Sequence, residues 1–387
     1  MKQPWVVLAM LWLTANNLRL AIFGVQPVLP DIRHDLGLSF TATGALTSAA
    51  IAMLGLGSIP GTVVGRWLGA RRVVTVMGFG IGAASLLRLL PPEVFWVFLG
   101  TILMSLAASL VQPAMAVLIR RWFSARLDRA SSVYSNGLLM GGTIGASLTP
   151  LLAHAVGWRG SFVVWAALAA GIAVLWVALT PRADAPVPRV HLGDAFRNAR
   201  AWQVTALFSF QNLAYFGVAA WLPFLLADRD PGYVSWVFTC LNFLPIIPLL
   251  ALPALRWTFA LSPVYYLAMA LLTIAGATGL ALGLRDLAWA LAFMVGLGCA
   301  GAFMASMALP PLVARSEMDA AAISAIVFTF GYLLSFAGPV VAGILVDATR
   351  EVTTAFWPSV GGGLLMAVLG LLVPRMVVRT DPATAAA

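Results

Sequence analysis

Residues 4–29 read PWVVLAMLWLTANNLRLAIFGVQPVL, a long apolar run whose one formal charge is Arg19. An α-helix crosses the roughly 30 Å hydrocarbon core of a bilayer with about 20 apolar residues, and this run is long and apolar enough. Met1-Lys2 before it is reminiscent of a signal peptide. The run continues past Asn16, Asn17 and Arg19, however, and has no suitably placed small-residue cleavage site. It reads as a retained first membrane helix. On that helix Trp12, Asn16, Arg19, Phe23 and Gln26 fall at i, i+4, i+7, i+11 and i+14, along one face. Indole, amide, guanidinium, phenyl and amide make a poor lipid face and a good wall for a polar guest. A central arginine costs about 2.5–3.5 kcal/mol on insertion scales, so it faces a cavity or a partner. The bland alternative is an arginine bonded to backbone carbonyls of a neighbouring helix.

Working outward, hydrophobic residues make up 61% of the 387 positions and charged residues 10%, against roughly 25% charged in soluble domains. Apolar runs of membrane-spanning length recur, without the sustained alternation of a β-barrel. The expectation is an all-α membrane protein with twelve transmembrane helices, near 4–29, 40–65, 72–91, 94–119, 129–155, 158–180, 200–227, 232–255, 262–284, 287–314, 318–347 and 354–376. One longer polar connector contains Arg182, Asp184, Pro186, Pro188, Arg189 and Asp194. It predicts an N-terminal six-helix bundle over 1–180, a cytoplasmic linker over 181–199 and a C-terminal six-helix bundle over 200–387. An internal echo supports two pseudo-symmetric halves. Phe23-Gly24-Val25 with Leu29-Pro30 recurs, 193 positions later, as Phe216-Gly217-Val218 with Leu222-Pro223. Two such bundles related by an axis along the membrane normal are a transporter architecture, with substrate held between them near the midplane.

A net charge of +9 invites a nucleic-acid reading, but the basic residues sit in short connectors. One set, including Arg66, Arg71, Arg72, Arg120 and Arg121, holds 16 of them, and the opposite set, Arg33, Arg159, Arg229, Arg285 and Arg350, holds 5. The positive-inside rule therefore places both termini in the cytoplasm of a multi-pass protein of the inner membrane. Its expected partners are the lipid bilayer and a small-molecule substrate, not nucleic acid, and it is expected to be a monomer. Cys240 and Cys299 lie inside apolar runs and read as packing residues, so there is no disulfide or metal framework. No cofactor is implied. Without a hydrolytic triad, phosphate loop or metal-ligand spacing, an enzyme reading has nothing to rest on.

All 14 acidic residues fall in connectors, at helix ends or in the tail. A carrier of cations needs a buried carboxylate, and here the buried charge is positive. The substrate is therefore expected to be anionic or strongly polarised, since a guanidinium suits planar or forked anions. Candidate substrate-binding residues are Asn16, Arg19, Phe23 and Gln26 on the first helix, Gln112 on the fourth, and Gln211, Tyr215 and Trp221 on the seventh. Asn212, Asn242, Thr329 and Tyr332 are further polar wall positions, each equally open to helix–helix bonding. Arg88, three residues before Pro91, reads as a side chain that snorkels to the headgroups. Gly137, Gly141, Gly142 and Gly145, with Gly331, Gly338 and Gly343, allow close helix approach. Pro150 and Pro339 are expected to bend gate helices.

With these segments placed, the chain resembles the major facilitator superfamily. Gly61-Thr62-Val63-Val64-Gly65-Arg66-Trp67-Leu68-Gly69-Ala70-Arg71-Arg72 is similar to that family's loop between helices two and three. Gly65 or Arg66 stands where that loop usually has aspartate. Arg120-Arg121-Trp122-Phe123 and Gly157-Trp158-Arg159 resemble further superfamily segments. Within it, Asn17-Leu18-Arg19 with Pro27, Leu29 and Pro30, then Met140-Gly141-Gly142 and Trp221-Leu222-Pro223, resemble the cyanate and nitroimidazole transporter group. That group has proline where this chain has Leu20, and glycine where it has Gln26. The resemblance implies a secondary transporter that moves a small anionic or polar, cyanate-like solute across the cytoplasmic membrane by alternating access. The alternative is an exporter of neutral or hydrophobic drug-like compounds such as nitroaromatics. A third class is a membrane sensor without flux.

Overall fold

The computed structural model describes residues 4–182, 193–249, 262–314 and 317–373. Asp184, Pro186, Pro188 and Arg189 of the linker lie outside them, as do Lys2, Arg256, Arg315, Arg375 and Arg379 and the predicted end of the 232–255 helix. The described residues form α1 (Pro4–Phe23), α2 (Leu29–Leu36), α3 (Phe40–Leu56), α4 (Ser58–Leu68), α5 (Ala70–Leu87), α6 (Glu93–Trp122) and α7 (Leu127–Leu179). They continue as α8 (Ala199–Leu225), α9 (Pro231–Asn242), α10 (Pro263–Ala281), α11 (Ala288–Val313), α12 (Glu317–Ser335), α13 (Ala337–Thr349) and α14 (Trp357–Gly370). The remaining helical pieces are short, and there is no strand among the described residues.

Among the described residues, eight stretches are long and apolar enough to cross a membrane, and α3 with α4, bent by 53°, makes a ninth. The 53-residue α7 is interrupted at Gly157, whose φ of 74° lies where only glycine sits at ease. Its two parts correspond to the expected fifth and sixth helices. α1 and α8 are long enough to span but contain Asn16, Asn17, Arg19, Gln211 and Asn212. With α7 taken as two crossings and these two helices added, the described helices are compatible with twelve. The first run needs correcting at its end. α1 stops at Phe23, a 3₁₀ turn spans Gln26–Val28, and α2 begins at Leu29. Pro27 and Pro30 have no N–H to continue a helical ladder. α9 likewise ends at Asn242, three residues before Pro245.

α1 owes its position to α7. A Cβ on Gly137, Gly141 or Gly145 would come within 2.6, 2.1 or 2.5 Å of the carbonyl oxygens of Trp12, Asn16 and Leu20, respectively. The i, i+4, i+8 glycines thus form a groove in which the α1 backbone lies. Trp12 Nε1–H donates to Asn136 Oδ1 at 2.8 Å and fixes the register. In the first turn of α5, Arg71 donates to Val177 O at 2.8 Å and to Thr180 Oγ1 at 3.3 Å, tying that helix to the end of α7.

Helices before residue 180 meet helices after residue 200 through several hydrogen bonds at the end that carries residues 24–40. Asp347 of α13 accepts from the amide N–H groups of Phe40 and Thr41, at 3.1 and 2.8 Å, and from Thr41 Oγ1 at 2.6 Å. Ser48 Oγ donates to Phe336 O at 2.7 Å. Ser235 Oγ donates to Ser147 O, and the Thr239 and Ser147 hydroxyls lie 3.0 Å apart. Gly44 lies so close to α13 that a Cβ would sit 2.2 Å from Pro339 O, and Gly343 does the same to Phe40 O at 2.5 Å.

Candidate functional site

The glycine groove holds the α1 backbone at Trp12, Asn16 and Leu20, and Arg19, on the same helix, reaches from there to α12. The side chain is half-buried between α1 and α12. Its Nη2 donates to Tyr332 Oη at 3.1 Å, and its Cζ lies 5.9 Å from the ring centroids of both Phe23 and Tyr332. None of the ion pairs among the described residues includes it. The rings continue on both sides. Phe23 lies 6.1 Å from Tyr215 and 5.9 Å from Phe216. Tyr332 meets Phe208 edge-on at 5.2 Å and stacks on Phe328 at 6.4 Å. The cation therefore sits in an aromatic surround assembled from α1, α8 and α12.

The predicted residues divide into two groups. Arg19, Phe23 and Tyr215 come together. The Tyr215 hydroxyl donates to Asn242 Oδ1, whose own amide donates to Phe238 O at 2.9 Å, so Tyr215 is held by α9. Asn16 and Gln211, one turn before Arg19 and Tyr215 on their helices, are buried with amide nitrogens that have no partner among the described residues. Gln26 is buried in the 3₁₀ turn with its Oε1 also unpartnered. Gln112 is half-buried on α6, and no described hydrogen bond joins it to this group. Trp221 stands elsewhere, at the closely packed end. It donates to Pro339 O at 3.3 Å and packs its ring 5.9 Å from Phe40 and 5.2 Å from Phe224. Asn212 bonds back to Phe208 O at 2.8 Å, and Asn17 faces a small void with Thr14 and Trp176 behind α1.

Tyr332 and Tyr134 are two further neighbours of Arg19. Tyr332 was visible only as one polar position on the eleventh helix. Tyr134 lies on α7; its buried hydroxyl has no hydrogen-bond partner among the described residues and lies within electrostatic range of Arg19. Tyr332 had a usable signal, sharing a face with Phe328 and Thr329. Tyr134 had none, because its approach depends on how α7 packs on α1. Arg88 corrects the snorkelling expectation. It is 1% exposed, with Nη2 2.6 Å from Met104 Sδ and Cζ 4.7 Å above the Phe162 ring. Gly100 makes room for it, since a Cβ there would meet Arg88 Cγ at 2.7 Å.

One guanidinium with spare N–H donors, flanked by hydroxyls, amides and rings, can hold an anion or a polarised oxygen. It offers neither a nucleophile nor a general base. The sequence model of the Major Facilitator Superfamily matches residues 11–230. The chain belongs to that superfamily. As a member of the Major Facilitator Superfamily it is a multi-pass membrane transporter and not an enzyme. It is 26% identical to the 2-nitroimidazole transporter of Escherichia coli over 97% of its own length and 96% of that protein's. It is 27% identical to the cyanate transport protein CynX of Escherichia coli over 56% and 57% of the two chains. Among solved structures it matches a bacterial homologue of the human lysosomal transporter Spinster with a TM-score of 0.77, at 15% identity over 97% and 98% of the two chains. A D-xylose–proton symporter matches with a TM-score of 0.75, at 14% identity over 97% and 98%. At these identities the structures support the superfamily fold alone.

Proposed function

We propose that this secondary transporter moves a small monovalent anion, or a strongly polarised cyanate-like solute, across the cytoplasmic membrane by alternating access. The two halves would be residues 1–180 and 200–387, joined by a cytoplasmic linker over 181–199. Both termini would be cytoplasmic, because connectors on that side hold most of the basic residues, and the chain would work as a monomer. The observation that supports this reading is Arg19: a charged side chain between helices of the two halves, with a phenol hydroxyl and no carboxylate as its partner. An anion neutralises it, while a cation meets only repulsion. Asn16, Phe23, Gln26, Gln211 and Tyr215 would line the path around it, with Gln112 facing from α6 and Trp221 near the closed end.

The test is uptake of cyanate and of nitrate into proteoliposomes. Arg19→Gln removes the charge and keeps a polar chain. Transport by this variant is expected to fall at least tenfold while the protein stays folded; wild-type rates with both anions would remove Arg19 from the site. A second reading has its own support. Phe23, Phe208, Phe328 and Tyr215 form an aromatic surround, and one relative named above is a 2-nitroimidazole transporter. A nitro group presents two oxygens in a plane, as a small oxyanion does, and a guanidinium can meet both. In that case nitroaromatics bind and are transported, while cyanate and nitrate are not taken up.

A further inference from the structure

We infer that Tyr332 and Tyr134 complete the substrate site around Arg19, each offering a phenol O–H to the anion that the guanidinium attracts. The inference rests on the anion reading above and adds two substrate contacts, from α12 and α7, to the one on α1.

The three tyrosines near Arg19 are in different hydrogen-bond states. Tyr215 has committed its proton to Asn242. Tyr332 accepts from Arg19 Nη2 through its oxygen, which leaves its own hydrogen undirected; no described acceptor takes it. Tyr134 has a buried hydroxyl that neither donates nor accepts, although it lies within electrostatic range of the same guanidinium. Buried polar groups are normally paired, and an exception calls for a ligand, an ion or water. An O–H that accepts from a cation is also polarised into a better donor. The phenol of Tyr332, bonded to the guanidinium, and the unpaired phenol of Tyr134, within its electrostatic range, therefore supply free donors around a place for negative charge.

The composition of this set indicates the class of anion. It holds one full positive charge, neutral donors and the rings of Phe23, Phe208 and Phe328. Those rings cannot replace the hydration shell of a dianion. The site thus suits a weakly hydrated monoanion with two or three acceptor atoms and rejects sulfate or hydrogen phosphate. Tyr332 has a second role: its oxygen joins α1 to α12, so an anion that bonds Arg19 and Tyr332 together draws the two helices onto one guest.

The experiment is a thermal-shift titration of the purified full chain with sodium nitrate, with sodium sulfate as control. It compares wild type, Tyr332→Phe, Tyr134→Phe, the double variant and Arg19→Gln. Phenylalanine at 332 keeps the ring contacts to Phe208 and Phe328, phenylalanine at 134 removes only an unpaired hydroxyl, and melting without anion verifies that both variants fold. Each single variant is expected to weaken nitrate binding about tenfold, the scale of a hydrogen bond to a charged group. The double variant is weaker than either, and sulfate produces no saturable shift in wild type. If both phenylalanine variants bind nitrate like wild type while Arg19→Gln loses it, the phenol assignment falls and the role of Arg19 stands. Unaltered binding by Arg19→Gln, or none by wild type, overturns the anion reading and this inference with it.

Discussion

Three arginines show how much a single residue type can differ by partner. Arg19 meets a hydroxyl and two rings, Arg88 a thioether and a ring, and Arg159 two carboxylates, those of Asp35 and Glu93. The place of Arg19 was legible because helical periodicity set it on one face with Asn16, Phe23 and Gln26. Its partner was not, since Tyr332 lies 313 positions away and only tertiary packing unites them. Arg88 misled because position along a helix fixes depth but not azimuth, and Gly100 leaves a slot that periodicity alone does not reveal. The third arginine supports a pH prediction. The Trp158 indole, which donates at 2.8 Å, and the Arg159 guanidinium at 2.9 Å hold the Asp35 carboxyl below the usual carboxylate range. Its folded-state pKa is depressed, so its stabilising effect is full above the unfolded value of about 3.9. That effect is lost as pH falls through the folded value. Asp35→Asn is therefore expected to lower the thermal midpoint by a few degrees at pH 7, with the gap to wild type closing below about pH 4. A gap that stays constant from pH 7 to pH 3 would exclude this linkage.

At the scale of elements, the apolar runs located most helices to within a few residues, because lipid demands a minimum length and tolerates few charges. What they missed were the breaks. The first run turns at Gly24 and Pro27, the second bends at Gly57, and the last part of the eleventh restarts as α13 after Phe336. Such breaks are set by which backbone groups find partners in neighbouring helices, information that hydropathy does not contain. The glycines of α7 were legible as a close-approach surface, but not which helix they receive. The α1–α7 seam makes a sharp prediction. In Gly141→Ala the new Cβ would lie 2.1 Å from Asn16 O, so α1 must move, at a cost of about 1–3 kcal/mol. Gly171→Ala, on the same helix, has nothing within 4 Å and serves as the control. Melting in detergent should separate the two, with the first variant also impaired in transport because α1 positions Arg19. Equal midpoints would show that the groove is not what holds α1.

At the scale of the whole molecule, the echo between residues 23–30 and 216–223 pointed to two related halves, but which end they close is a property of the folded chain. In this structure the closely packed end is the one with the 24–40 turn, which the proposed orientation places away from the cytoplasm. The carboxylate of Asp347 is central to it. It accepts from two backbone amides and a hydroxyl at the N-terminus of α3, where the helix dipole also favours negative charge. Arg33, 3.7 Å over the Phe40 ring, and Trp221 against the same ring pack around it. If the halves rock, these bonds must break together each time that end opens. Asp347→Ala is expected to weaken the closed arrangement by about 1–2 kcal/mol after solvent screening, roughly a tenfold change in the ratio of closed to parted molecules. Spin labels at the exposed positions His34 on α2 and Thr349 on α13 report the separation across this end. Wild type should give one short distance population and Asp347→Ala an added longer one, with Asp347→Glu nearer to wild type. Identical distributions in wild type and Asp347→Ala would mean that the glycine and ring contacts hold this end without the carboxylate.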